Sequence, residues 1–183
     1  MSLTESNPFP LGTIAPEFSL FDTVSNKTLN LQQIKGDKAT VILFICNHCP
    51  FVIHINSKLV ELANSYKKAS VNFIAISSND VTNYPQDGPE LMTQVAKTEQ
   101  YPFPYLYDET QEVAKAYDAA CTPDIYVFDK DLKLTYHGQF DDSRLGNGKP
   151  LTGKDLQNAI DKTLSQTEVL QQKPSVGCGI KWK

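Results

Sequence analysis

The chain has 183 residues, 40% hydrophobic and 21% charged, with a net charge of −4 and a pI near 5.3. That length and balance fit a single domain over 1–183 with its own core, and they exclude a disordered or fibrous design. Basic residues are scattered with no run beyond Lys67-Lys68, and no basic leader or long apolar run occurs; nucleic acid and membrane are therefore not expected as partners, and a cytoplasmic location is the default.

Residues 16–21 alternate, and after a polar stretch 28–31 follow, which predicts an opening hairpin. Ala39 to Ile45 is a continuous apolar, partly β-branched run, the mark of a strand buried on both faces. From Val52 to Lys68 the apolar positions Val52, Ile55, Leu59, Leu62, Ala63 and Tyr66 recur at helical spacing. Val71 to Ser77 reads as a second buried strand, so a right-handed β-α-β crossover is expected.

Residues 78–104 carry many turn signals around one short helix near 90–98 and read as an insertion. A short strand over 105–107 and a helix over 110–117 come next, then a hairpin of 124–129 and 132–137 turning at Lys130-Asp131. A polar loop over 141–153 leads to a last helix near 154–164, and the tail over 167–183 has no clear period. The order describes an α/β fold, one central mixed sheet flanked by helices, with an N-terminal hairpin and an insertion between two halves.

Of the four cysteines, Cys46 and Cys49 stand in Cys46-Asn47-His48-Cys49-Pro50, between the first buried strand and its helix. Disulfide exchange needs one readily ionised thiol and a second within bonding reach. Two intervening residues at a helix start suit both needs, because the terminal N–H groups and the helix dipole favour a thiolate. Cys46 is assigned as the attacking thiolate and Cys49 as the thiol that resolves the mixed disulfide. His48 lies between them, where a protonated imidazole would favour the ionised form. Two inert buried thiols or half of a zinc site are the plainer readings of a lone C-x-x-C; its place in a β-α-β unit favours redox chemistry. Cys121-Thr122-Pro123-Asp124 adds a proline directly before a strand, a candidate cis bond in a tight turn.

With these segments, Ala15-Pro16-Glu17-Phe18-Ser19-Leu20 and the tail Pro174 to Lys183, the chain resembles the thioredoxin-like redoxins of the alkyl hydroperoxide reductase and thiol-specific antioxidant branch, in particular a peroxiredoxin-like subgroup with an intact C-x-x-C. The resemblance implies a thioredoxin fold that sets Thr122 and a cis-Pro123 against the dithiol, and a thiol-disulfide oxidoreductase acting on a protein or small-molecule disulfide with an unidentified thiol donor and no cofactor. Peroxiredoxins proper carry P-x-x-x-T-x-x-C; here Ile42 stands in place of the proline and Cys46 in place of the threonine. The alternative is a thiol peroxidase reducing a hydroperoxide through Cys49, with Cys46 or Cys178 resolving.

Cys178, between Gly177 and Gly179 in a tail expected to be flexible, is a candidate additional resolving thiol or a free tail cysteine. Cys121 is expected to pack in the core, and His54 and His137 are expected to be surface or satisfied histidines. Arg144, the only arginine, is a candidate for stabilising a thiolate. Tyr101, Phe103, Tyr105 and Tyr107 fit either the floor of a groove for an extended peptide or core and loop packing, and packing is the expectation. No second C-x-x-C or H-x-x-x-H pair accompanies the dithiol, so no metal site is expected.

Overall fold

The computed structural model describes residues 3–183. In chain order they form β1 (Leu3–Glu5), β2 (Ser19–Asp22), β3 (Lys27–Asn30), α1 (Leu31–Ile34), β4 (Ala39–Phe44), α2 (Pro50–Tyr66) and β5 (Val71–Ser77). There follow α3 (Pro89–Thr98), β6 (Tyr105–Tyr107), α4 (Glu112–Ala116), β7 (Cys121–Thr122), β8 (Asp124–Asp129), β9 (Leu134–Gly138), α5 (Lys154–Leu164) and β10 (Val176–Gly179). Among the described residues no helix is long and apolar enough to cross a membrane.

Seven strands make the central sheet in the order β3-β2-β6-β5-β4-β8-β9. All six residues of β4 are buried, as its unbroken apolar run requires. It runs parallel to β5 and antiparallel to β8, so the sheet is mixed. Successive side chains on a strand point to opposite faces, and here they feed two separate cores. Val41, Leu43, Phe73, Ala75, Ile125 and Val127 meet the apolar stripe of α2 and residues of α3 and α5. Ile42, Phe44, Ile74, Ile76, Tyr126 and Phe128 meet Leu31 of α1 and Ala114 of α4 on the other face.

The expected hairpin is β2 with β3, and the expected β-α-β unit is β4-α2-β5. The second hairpin is shorter than its apolar pattern: Leu132 takes a left-handed backbone conformation (φ 58°), so its turn extends past Lys130-Asp131 and β9 starts at Leu134.

A second sheet was not expected. β10 lies between β1 and β7, antiparallel to both. The tail is thus a strand at 176–179 rather than a swinging segment, and Cys178 is 2% exposed. Gly177 lets it come so close: a Cβ there would lie 2.0 Å from the Thr122 carbonyl oxygen.

Candidate active site

The dithiol sits where β4 ends against α2. The helix begins at Pro50, a residue suited to the first turn because its missing N–H needs no partner there. Cys49 is therefore the N-cap residue and Cys46 lies three residues ahead of it. This differs from the sequence expectation, which set the first cysteine at the helix start; the terminus favours charge on Cys49 instead.

All four cysteines are buried and none forms a disulfide. Cys46 and Cys49 influence each other's ionisation through their side chains. Cys49, with burial and the nearby Asp87 charge, pushes the Cys46 thiol far up. Cys46 in turn outweighs burial at Cys49 and brings its thiol well below the usual range, helped by Thr122, Cys178 and the Val52 amide.

Thr122 meets both sulfurs from β7. Its Oγ1 is 3.6 Å from Cys46 Sγ, and its carbonyl oxygen lies 3.1 Å from Cys49 Sγ, which donates to it when protonated. The Thr122-Pro123 bond is cis, as expected from sequence. Cys178 pairs in register with Thr122 across β10, so the structure brings together Cys46, Cys49, Thr122, Pro123 and Cys178.

His48 stands differently from expectation. Its Nδ1 is 2.7 Å from Asp87 Oδ2, and its ring stacks on Tyr84 with centroids 5.8 Å apart. Asp87, in a short turn over 85–87 within the insertion, is fully buried. Its Oδ1 accepts from the Asn47 and His48 amides at 2.9 and 3.3 Å, and its Oδ2 accepts from Asn79 Nδ2 at 2.8 Å. Asn79 Oδ1 in turn accepts from the Lys181 amide at 2.8 Å, and Asn47 Oδ1 accepts from the Tyr105 hydroxyl at 3.0 Å. The insertion, β6 and the tail together hold the loop between the cysteines. Asp87 escaped the sequence reading because an acid in an Asp-Gly-Pro turn carries no mark of its partner some 40 residues away; only the fold joins them.

The other candidates have structural roles. Arg144 gives its bonds to the carbonyls of Asp141 and Ser143 and to Gln139 Oε1, at 2.6, 2.7 and 2.7 Å; its guanidinium is engaged within its own loop, against the thiolate role considered for it. Cys121 is fully buried in β7 and burial raises its thiol. His54 Nε2 meets Ser143 Oγ at 2.8 Å, and His137 Nε2 meets buried Asp124 Oδ1 at 2.7 Å. Phe103 and Tyr105 are core residues.

A central mixed sheet, a dithiol that ends at the N-cap of a helix and a cis-proline turn beside it define a thioredoxin-like redox protein. The sequence over residues 11–137 matches the AhpC/TSA family model, and the chain belongs to that family. The family and the fold give it an oxidoreductase role based on thiols.

The chain is 57% identical to an uncharacterized conserved protein from Geobacillus kaustophilus, over 100% of this chain and 97% of that one, with a TM-score of 0.98. It is 44% identical to the hypothetical protein SMc02350 from Sinorhizobium meliloti 1021, over 98% of each, with a TM-score of 0.95. The thioredoxin domain of a thiol-disulfide oxidoreductase from Bacteroides vulgatus shares the fold at 15% identity, over 84% of this chain and 99% of that one, with a TM-score of 0.64. No curated protein matches the chain.

Proposed function

We propose that the chain is a thiol-disulfide oxidoreductase that exchanges electrons between Cys46/Cys49 and a protein or small-molecule disulfide. The observation that carries this reading is that Thr122, beside the cis-proline turn, meets both sulfurs, its Oγ1 3.6 Å from Cys46 Sγ and its carbonyl oxygen 3.1 Å from Cys49 Sγ. Cys49, whose thiol is the lowered one, is expected to give up its proton first. Transfer of the Cys46 proton to Cys49 leaves the Thr122 carbonyl to accept from the Cys49 thiol, and the Thr122 hydroxyl, which donates to the Cys178 carbonyl at 3.5 Å, turns to donate to the Cys46 thiolate 3.6 Å away.

Cys46 then attacks one sulfur of the substrate disulfide, forming a mixed disulfide and expelling a thiolate. Cys49 loses its proton to that leaving sulfur and attacks Cys46, which closes the Cys46–Cys49 disulfide and releases the second thiolate. Two electrons pass to the substrate, and a thiol donor returns them. Replacement of Cys46 by Ser abolishes turnover of a dithiol-reducible disulfide; unchanged turnover in C46S overturns the proposal.

The lowered Cys49 thiol favours a second reading, in which Cys49 attacks a hydroperoxide. The product alcohol leaves, and the Cys49 sulfenic acid condenses with Cys46 or Cys178 to a disulfide and water. That reading expects rapid, stoichiometric thiol loss with hydrogen peroxide and a sulfenate trapped at Cys49 once Cys46 and Cys178 are replaced. Reaction no faster than that of free cysteine excludes it.

A further inference from the structure

The Asp87 carboxylate is fully buried, and among the described residues no lysine or arginine pairs with it; His48 Nδ1 lies 2.7 Å from its Oδ2 without a hydrogen bond. A buried carboxylate is costly unless a cation or several donors meet it. Three donors already fix its orientation, namely the Asn47 and His48 amides and Asn79 Nδ2. Cys46 joins the pair: one ligating atom each from Cys46, His48 and Asp87 lie within 4.8 Å of one another.

We propose that the reduced protein binds a divalent transition metal, zinc by preference, through Cys46 Sγ, His48 Nδ1 and an Asp87 carboxylate oxygen. Zinc takes sulfur, nitrogen and oxygen ligands at about 2.0–2.3 Å, which sets tetrahedral ligands roughly 3.3–3.8 Å apart. The cluster spans that spacing, from 2.7 Å between His48 and Asp87 up to its 4.8 Å limit. The side chain that must yield, His48, is 26% exposed and rests on Tyr84 alone among the aromatic rings. A thiolate, an imidazole and a carboxylate form a borderline-soft set that suits zinc over magnesium or calcium. Three protein ligands leave a fourth position to water.

Binding displaces the Cys46 proton to solvent and ties that sulfur to the ion, so the metal masks the attacking thiol; a Cys46–Cys49 disulfide removes the ligand and excludes the metal. The site holds whether or not the dithiol turns over a disulfide, because it needs only reduced Cys46. Cobalt, a coloured substitute for zinc, gives the test. Titration of the anaerobic, reduced protein with Co²⁺ is expected to saturate at one ion per chain with a thiolate-to-cobalt charge-transfer band, which Zn²⁺ then bleaches. The band is expected to vanish in C46S, to weaken by at least about 10-fold in apparent affinity in H48A, and to persist in C49S. No saturable band, a band unchanged in H48A, or a band lost in C49S overturns the proposal, the last because it identifies a simple dithiol chelate.

Discussion

At the scale of single residues, Asp87 and Thr122 act on Cys46 in opposite senses. The buried Asp87 charge raises the Cys46 thiol, while the Thr122 hydroxyl lowers it. Asp87→Asn removes the opposing charge, so Cys46 is expected to ionise at lower pH than in the parent; ultraviolet thiolate absorbance against pH in a C49S background reads this. The same change turns an accepting oxygen into a donor facing Asn79 or His48, at a cost of about 1–3 kcal/mol in denaturant unfolding. Thr122→Val removes the hydroxyl but keeps the carbonyl. A hydrogen bond to a charged group contributes about 1.5–3 kcal/mol, so kcat/KM for a disulfide substrate is expected to fall about 10- to 100-fold, with recovery in Thr122→Ser. In the parent protein one thiolate should appear well below the reference thiol pKa of about 8.5. Its direction is that of a lowered acid, so the Cys49 signal persists below the reference value and disappears only as pH falls through about 5, while the partner sulfur stays protonated far higher.

Elements divide by how local their signal is. β4, α2 and β5 were readable because an unbroken apolar run and a 3.6-residue stripe each report burial within a dozen residues. The stripe predicts a helix from Val52, two residues after its observed start, since Pro50 and Phe51 precede the first buried position. The small sheet was not readable: β7 has two residues and β10 is Val-Gly-Cys-Gly, too short and too glycine-rich for a period. Its register also joins Cys178 to Thr122 and to Leu3, positions far apart in the chain. Gly177→Ala tests this element, because its Cβ would meet the Thr122 carbonyl at 2.0 Å and cannot be relieved by a side-chain shift. Overpacking of this kind costs about 1–3 kcal/mol, and native-state labelling of Cys178 by a thiol reagent should rise as β10 is displaced. Leu59 of α2 is fully buried under the sheet, and Leu59→Ala is expected to cost about 2–5 kcal/mol in the same unfolding measurement.

Over the whole molecule, distant segments converge on one loop. β4 and α2 carry the dithiol, β7 brings Thr122 and the cis-proline turn, the insertion brings Asp87, and the tail brings Cys178 and the Lys181 amide. The dithiol and the proline turn could be recognised from sequence because each is a compact motif. Asp87 and Asn79 could not, because nothing but the folded chain sets them beside residues 46–49. The central claim, that Cys46 and Cys49 form a reversible electron-carrying pair, is tested most directly by equilibrating the protein with glutathione buffers of graded redox ratio and mapping the alkylated peptides by mass. The account predicts a two-electron transition to a Cys46–Cys49 disulfide, with a tenfold change in its equilibrium ratio for about 30 mV. Both thiols remaining reduced throughout, or oxidation that leaves Cys46 and Cys49 unpaired with each other, would contradict it.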